Sequence, residues 1–268
     1  MHRRAGAATS NRSTRPRRTQ RVSFVLPAFN EEANITRALE TTVVAARRYC
    51  RAYEVLVVDD GSSDRTAELV EHAMRSDDAI RLLRHEANRG YGSALQTGFA
   101  NATLDFVFFT DADNQFDMDE LPLLLAWAST ADCVAGYRKQ RRDPLARYMN
   151  AWAWNRLVRM LFCIPVRDVD CAFKLFRRSA LTDITIESGG AMINTEIMAK
   201  LSRAGRTIVE VGVTHRPRTA GAASGADLAV IMRALREVRV MYPKLAALTA
   251  PSGPDPAVPL VRRAGTRA

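Results

Sequence analysis

Three apolar runs recur early in this chain: "RVSFVLPAFN" (21–30), "YEVLVVDDG" (53–61) and "LDFVFFTDAD" (104–113). Each is short, rich in β-branched or aromatic residues, and stopped by Pro, Asn, Asp or Gly, which predicts strands. Helical spacing fills the gaps. Residues 31–48 open with Glu31 and Glu32, acids that suit a helix N-terminus, and 64–75 open with Asp64 as N-cap. "IRLLRH" (80–85) predicts a strand and 92–101 a helix. Strands that are apolar on both faces must be covered on both faces, so this alternation predicts an α/β fold with a parallel sheet between helical layers. Further strands are expected at 132–136, 172–178 and 207–215, and helices at 119–128, 145–162 and 192–205, the last ended by Gly205.

Ligands of such sheets gather beyond the carboxyl ends of the strands. "PAFNEE", "DDGSSD" and "TDADNQ" all fall there. If the third strand continued through them, Asp111 and Asp113 would share a face with Ala112 opposite, because side chains alternate with period two. Two carboxylates so close repel each other, and a hard divalent cation that takes oxygen ligands offsets that cost. Asp117 and Asp119 read instead as the N-cap and first turn of the 119–128 helix. Asp59 and Asp60 can accept hydrogen bonds from a base or a ribose, or can serve the turn that "DDG" suits. "NRGYGSALQTG" (88–98) lacks the GK[ST] of a P-loop and does not fit GxGxxG, so its glycines read as places of close chain approach.

Charge separates the candidate functions. Of the formal net charge of +10, residues 1–21 supply seven Arg with no acid and residues 251–268 supply three Arg with one Asp. The body between them is nearly neutral, so a nucleic-acid reading rests on the two tails and none is expected. Within the body, 22–137 carries 9 basic and 19 acidic residues, whereas 138–178 carries 11 basic and 3 acidic. An acidic half followed by a basic segment suggests one ligand that arrives with a cation and one that arrives as a bare anion.

Taken in order, "PAFNEE", "VVDDGSSDRT", "NRGYGSAL" and "DADNQ" resemble family-2 glycosyltransferases of the GT-A fold, a Rossmann-like, mostly parallel sheet flanked by helices. "GYRKQRRDP", "RDVDCAFKLFRR" and "HRPRTAGAAS" are similar to the polyprenol-phosphate sugar transferases, the group of dolichol-phosphate mannose synthase. The resemblance spans about 22–225 and implies a single catalytic domain there. It leaves a disordered basic arm (1–21), an amphipathic C-terminal helix (226–248) and a disordered tail (249–268).

What the resemblance implies is an inverting, metal-dependent transfer of one sugar from a nucleotide-diphosphate sugar to a polyprenyl monophosphate. Mannose from GDP-mannose is the first expectation and UDP-glucose the second. A family-2 enzyme acting on a sugar hydroxyl is the alternative. Pro27, Phe29, Glu31, Asp59 and Asp60 would line the nucleotide pocket. Asp111, Ala112 and Asp113 would lie at the diphosphate, and Asp111, Asp113 and Gln115 would hold Mg²⁺ or Mn²⁺. Arg138 and Arg218, with Ser224, would receive the acceptor phosphate, and Asp168 matches the family's acidic position. Two positions depart from the pattern: Ala172 stands where the family carries Gly, and Ser224 where close relatives carry Lys.

A lipid acceptor implies a membrane surface. The basic N-terminus is not followed by an apolar stretch of signal-peptide type, and no run approaches the ~20 residues of a membrane helix, so a cytoplasmic enzyme peripheral to the membrane is expected. Helix 145–162 places Asn155, Arg156 and Arg159 on one face and aromatic and aliphatic residues over much of the rest, which suits either an interface or a core-facing helix. Helix 226–242 could lie on a membrane, pack on the catalytic domain or pair with a second copy, and an integral-membrane partner is also open. Cys50, Cys133, Cys163 and Cys171 form no CxxC pair, so free or buried thiols are expected.

Overall fold

The computed structural model describes residues 18–139, 145–217, 228–247 and 261–263. The predicted runs become β1 (Arg21–Ala28), β2 (Ala52–Asp59), β3 (Ile80–Arg84), β4 (Phe106–Thr110), β5 (Cys133–Arg138), β6 (Phe173–Arg177) and β7 (Ile208–Val213). The helices are α1 (Ile35–Tyr49), α2 (Thr66–Met74), α3 (Tyr91–Asn101), α4 (Leu121–Leu125), α5 (Leu145–Phe162), α6 (Arg178–Thr182), α7 (Ile193–Arg203) and α8 (Leu228–Ala246). The N-cap of α2 is Arg65 and not the expected Asp64, which sits one residue earlier and accepts from Thr66 N at 2.9 Å. Asp117 accepts from Asp119 N at 3.1 Å and caps the short 3₁₀ turn that leads into α4. Gly205, at φ 66°, follows the end of α7.

One sheet runs in the order β3-β2-β1-β4-β6-β5-β7-β8, where β8 is Val261–Arg263. Every pairing is parallel except those of β6, which runs antiparallel to both β4 and β5. β4 and β5 therefore point the same way with β6 between them. The carboxyl ends of β1, β2, β4 and β5 and the start of β6 all meet at one edge of the sheet.

Alternation splits the strand side chains between two apolar layers. Val22, Phe24, Val55, Val57 and Phe108 pack under α1, α2 and α4, while Val25, Leu56, Val58, Val107 and Phe109 pack under α3, α5 and α7. Phe108 meets Phe24 edge-on at 5.5 Å and Phe173 at 4.8 Å, geometries worth about 0.5–1.5 kcal/mol each beyond burial. Gly98 of α3 lies so close to Val25 that a Cβ there would collide with it, so its lack of a side chain sets the distance between helix and sheet.

Three expectations are corrected. β4 stops at Thr110, so Asp111 and Asp113 sit in a turn and not in a strand, and Asn114 follows at φ 59°. The tail expected to be disordered contributes β8, whose Val261–Arg263 add parallel to Ile208–Glu210 on what would otherwise be an open edge. Asn155 does not share an exposed face with Arg156 and Arg159. It is buried beside Val158 and Phe162, where its Oδ1 accepts from Val169 N at 3.0 Å. Of the roles open to the C-terminal helix, packing on the catalytic domain is observed: Met241 and Leu245 are buried, and Glu237 accepts from Met192 N at 3.2 Å. Among the described residues the four cysteines are free thiols, with Cys50, Cys133 and Cys171 buried.

Candidate active site

The strand-end loops are sewn together by their own polar side chains. Asn30, held at φ 53°, donates its backbone N–H to Ser62 Oγ at 2.9 Å and accepts from Ser63 N at 2.9 Å. Glu31 N donates to Thr66 Oγ1 at 2.8 Å, and the Glu31 carboxylate accepts from Asn34 at 2.6 Å. Pro27 is buried opposite Val58 one residue before the end of β1, while Phe29, just past that end, is 46% exposed. Asp59 is fully buried, accepts from Ser62 N at 2.9 Å and stands 3.2 Å from Arg84 Nε.

Asp60 is committed to its own chain. It takes His85 Nδ1 at 2.6 Å, Arg89 N at 2.9 Å and Gly90 N at 2.8 Å, so it anchors the glycine-rich loop that opens α3. His85 shares a second hydrogen bond with Thr97 at 2.9 Å. Those contacts fill three of the carboxylate's roughly four acceptor positions and leave one on Oδ2.

At the end of β4, Asp113 is buried and accepts from Gln115 N at 3.1 Å, and Asp111 accepts from the Tyr91 hydroxyl at 3.0 Å. Burial, then the charge of Asp113, push the Asp111 carboxyl up from its ordinary value to about 7. Glu31 adds to that push and Lys174 opposes it. Ala112 is buried between the two acids. Gln115 does not point its amide N–H₂ at them: Nε2 donates to Arg216 O at 3.0 Å, and Arg216 N donates to Gln115 O at 2.7 Å. Gln115 thereby ties the turn to the segment before Arg218. Among the described residues no cluster of three or more His, Cys, Asp or Glu side chains could hold a metal. The donor set nevertheless fits Mg²⁺ or Mn²⁺, because two hard carboxylates, of which Asp111 is raised by burial and by its neighbour's charge, supply part of an oxygen shell that phosphates and waters complete.

At the end of β5, Arg138 grips Asp168 with two parallel bonds, Nε–Oδ2 at 2.7 Å and Nη2–Oδ1 at 2.6 Å, and its backbone N adds a third at 3.3 Å. Both side chains are nearly buried, at 13% and 11% exposure. Burial opposes the guanidinium charge, but Asp168 more than offsets that and holds Arg138 above its ordinary pKa. The fork expected to meet a phosphate is thus turned onto Asp168, leaving Nη1 and the second N–H of Nη2 as donors. Neighbours fix the loop that carries Asp168: Glu210 accepts from Arg167 N at 2.5 Å, and Asn155 accepts from Val169 N. Lys139 stands 3.8 Å from Glu120 on the protein's own surface. Arg218 and Ser224 lie outside the described residues.

Lys174, in the middle of β6, is wholly buried. Its ammonium donates to Val169 O at 2.9 Å, to Cys171 O and to Asn194 Oδ1 at 3.3 Å, and lies 5.3 Å over the Phe109 ring. Burial lowers its pKa. Neither Lys174 nor Tyr91 figures among the expected site residues. The available signal was a lysine between Phe173 and Leu175 in a strand that helices cover on both sides. Glu196 is a buried structural acid, accepting from Glu187 N at 2.9 Å, Ser188 N at 2.7 Å and Lys200 at 2.6 Å.

Residues 23–185 match the family described as "Glycosyl transferase family 2". The chain is 32% identical over 236 residues to an undecaprenyl-phosphate 4-deoxy-4-formamido-L-arabinose transferase from Pectobacterium atrosepticum, covering 85% of this chain and 67% of that one. A protein of the same description from Proteus mirabilis is 30% identical, with 85% and 68% covered. Among solved structures, glucosyl-3-phosphoglycerate synthase from Mycobacterium tuberculosis, in complex with Mn²⁺, UDP-glucose and phosphoglyceric acid, superposes with a TM-score of 0.65 at 22% identity. That superposition covers 87% of this chain and 82% of the synthase.

Proposed function

The chain belongs to glycosyl transferase family 2, and on that premise we propose that it moves one sugar from a nucleotide-diphosphate sugar to the phosphate of a polyprenyl phosphate such as undecaprenyl phosphate. The observation that carries this reading is the state of Asp168. An acceptor hydroxyl needs a general base, whereas a lipid monophosphate is already anionic near pH 7. Asp168, the acid at the acceptor end, has both oxygens in the fork of Arg138 and is arranged to hold a cation in place and not to collect a proton.

In this reading Phe29, Pro27, Glu31 and Asp59 line the nucleotide pocket, and Asp60 shapes it through the glycine-rich loop. Asp111 and Asp113 would hold Mg²⁺ or Mn²⁺, which when bound neutralises the diphosphate as a leaving group. Arg138 Nη1, with Arg218 and Ser224, would hold the acceptor phosphate for in-line attack on the anomeric carbon, so the configuration inverts. Most of the rate then comes from positioning and from charge that is fixed before the reaction begins.

The lipid requires a face at the membrane. Among the described residues no helix is long and apolar enough to cross one. The outer sides of α5 and α8 present Arg156, Arg159, Arg236 and Arg239 with Met160, Val240 and Tyr242, a mixture suited to a lipid interface at the cytoplasmic side.

The test is to supply Mn²⁺, undecaprenyl phosphate and, in turn, GDP-mannose, UDP-glucose and a nucleotide-linked 4-deoxy-4-formamido-L-arabinose, and to read the lipid product by mass. The expected result is one lipid-phosphate sugar. Transfer to a glycan hydroxyl, with none to the lipid, overturns the phosphate acceptor.

A further inference from the structure

Residues 186–192, between α6 and α7, divide their backbone polar groups by direction. The N–H groups go to acids on two helices. Glu187 N and Ser188 N donate to Glu196 of α7 at 2.9 and 2.7 Å, and Met192 N donates to Glu237 Oε2 of α8 at 3.2 Å. The carbonyls go to α3: Ser188 O accepts from Gln96 Nε2 at 2.8 Å, and Gly189 O accepts from Ser93 N at 3.1 Å. Packing leaves this loop no slack. A Cβ on Gly92 would collide with the backbone of Ser188, Gly189 and Gly190, and a Cβ on Gly190 would take the place of the Glu237 carboxylate. α8, the loop and the start of α3 are thus in direct contact, and interiors packed this densely transmit a displacement. The start of α3 is held from its other side by Asp60, which accepts from Arg89 N and Gly90 N at 2.9 and 2.8 Å. A second tie from α8, Lys244 to Glu187 at 2.8 Å, is half-exposed and therefore weaker.

On the reading of Asp60 and the glycine-rich loop as part of the nucleotide pocket, we propose that residues 186–192 form a strut that carries the seating of α8 to that pocket, with Glu237 as the positioning residue. Glu237 touches neither nucleotide nor sugar in this role. It fixes the loop whose carbonyls hold Ser93 and Gln96, and these set where the glycine-rich loop stands above Asp60. Arg236 and Arg239, exposed on the same helix, belong to the face proposed for the lipid. The helix that would meet the membrane is therefore the one that sets the donor pocket.

The test combines hydrogen exchange of the full chain, read by mass spectrometry, with titration of UDP and of GDP in Mn²⁺. Glu237→Ala removes the acceptor of Met192 N. Exchange should speed up over 186–193 and also over 88–96, with β1 and β2 unchanged, and whichever nucleotide wild type binds should bind roughly 3–30-fold more weakly. Glu237→Gln keeps an oxygen for Met192 N and should stay within threefold of wild type. Gly190→Ala displaces the carboxylate without removing it and should match Glu237→Ala. The double variant should be no worse than either single one, because both break the same contact. Nucleotide affinity of Glu237→Ala within threefold of wild type, or faster exchange confined to 186–193, overturns the strut and leaves the donor pocket intact. Faster exchange throughout β1 and β2 also overturns it, since Glu237 then serves stability alone. A wild-type protein that binds neither nucleotide overturns the pocket and the strut together.

Discussion

Past the end of β4 stand two carboxylates, and at the end of β5 a carboxylate faces a guanidinium. Asp111 and Asp113 are two residues apart in a turn, and their repulsion and burial raise Asp111 to about 7. Arg138 and Asp168 are thirty residues apart in sequence and close bidentately at 2.6 and 2.7 Å. The second pair is satisfied within the fold. The first has hydrogen bonds from Tyr91 and from Gln115 N, yet burial and the neighbouring charge still raise Asp111. On the proposed reading the end of β4 would take a cation, whereas the ion pair at the end of β5 is closed before any ligand binds. Neutralising one residue should have opposite effects on stability at the two ends.

The largest expected effect is on turnover at the donor end. Asp113→Asn should lower kcat/KM roughly 10²–10³-fold by removing a carboxylate that would hold the metal, with the circular-dichroism spectrum unchanged. Wild-type turnover at wild-type Mn²⁺ concentrations would break the comparison at its first term.

Stability should change most at the acceptor end. Arg138→Met or Asp168→Leu alone leaves a charge unpartnered in the interior and should cost about 3–5 kcal/mol in urea unfolding. The double variant should recover most of that, because an apolar replacement of a buried pair is often neutral. Transfer should not recover with it. Asp168→Asn should reduce kcat by less than the ~10²–10⁴ typical of a lost general base, and less than Arg138→Lys does, since lysine has no fork. An Asp168→Asn enzyme far slower than Arg138→Lys would favour a hydroxyl acceptor.

A smaller effect follows from pH. In the metal-free fold Asp111 keeps its proton to about 7, whereas an unfolded chain releases it near 3.8. A folded-state pKa raised in this way contributes stability below about 4 that is lost as pH rises to about 7. The gap in midpoint between wild type and Asp111→Asn, measured in EDTA, should therefore widen over that range. A constant gap would mean that the two acids do not repel.

The smallest effect on chemistry should come from deleting residues 1–20. Six of the seven Arg of the arm are lost, and each can add about 1 kcal/mol of attraction to an anionic surface. Co-sedimentation with anionic liposomes at low salt should fall while kcat in detergent stays the same, and equal co-sedimentation would remove the arm from the account.

The sequence made some of this contrast visible. Apolar runs stopped by "PAFN", "VVDDG" and "FFTDAD" located three of the five chain segments that build the edge, because strand termination is local chemistry. The acidic and basic halves foreshadowed the two ends. Local pattern could not show that β6 threads antiparallel between β4 and β5, since that depends on pairing across 39 to 71 residues. Nor could it show that Asp60 serves the glycine-rich loop or that Arg138 faces Asp168, because a carboxylate or guanidinium reads the same whether its partner is a ligand or the protein itself. Asn155 and Arg159 lie one turn apart on α5, so spacing alone did not separate the buried residue from the exposed one. The three-residue strand at 261–263 is too short to stand out among prolines.

The most direct measurement is the thermal midpoint of wild type and Asp111→Asn, each in EDTA and in Mn²⁺ at a hundred times the wild-type dissociation constant. The account predicts that Asp111→Asn is the more stable protein in EDTA. It also predicts that Mn²⁺ raises the wild-type midpoint by roughly 5–10 °C, as about 2.7 kcal/mol of binding should in a domain of this size, and leaves the variant unmoved. A variant that is no more stable than wild type in EDTA, and that Mn²⁺ still stabilises, would contradict it.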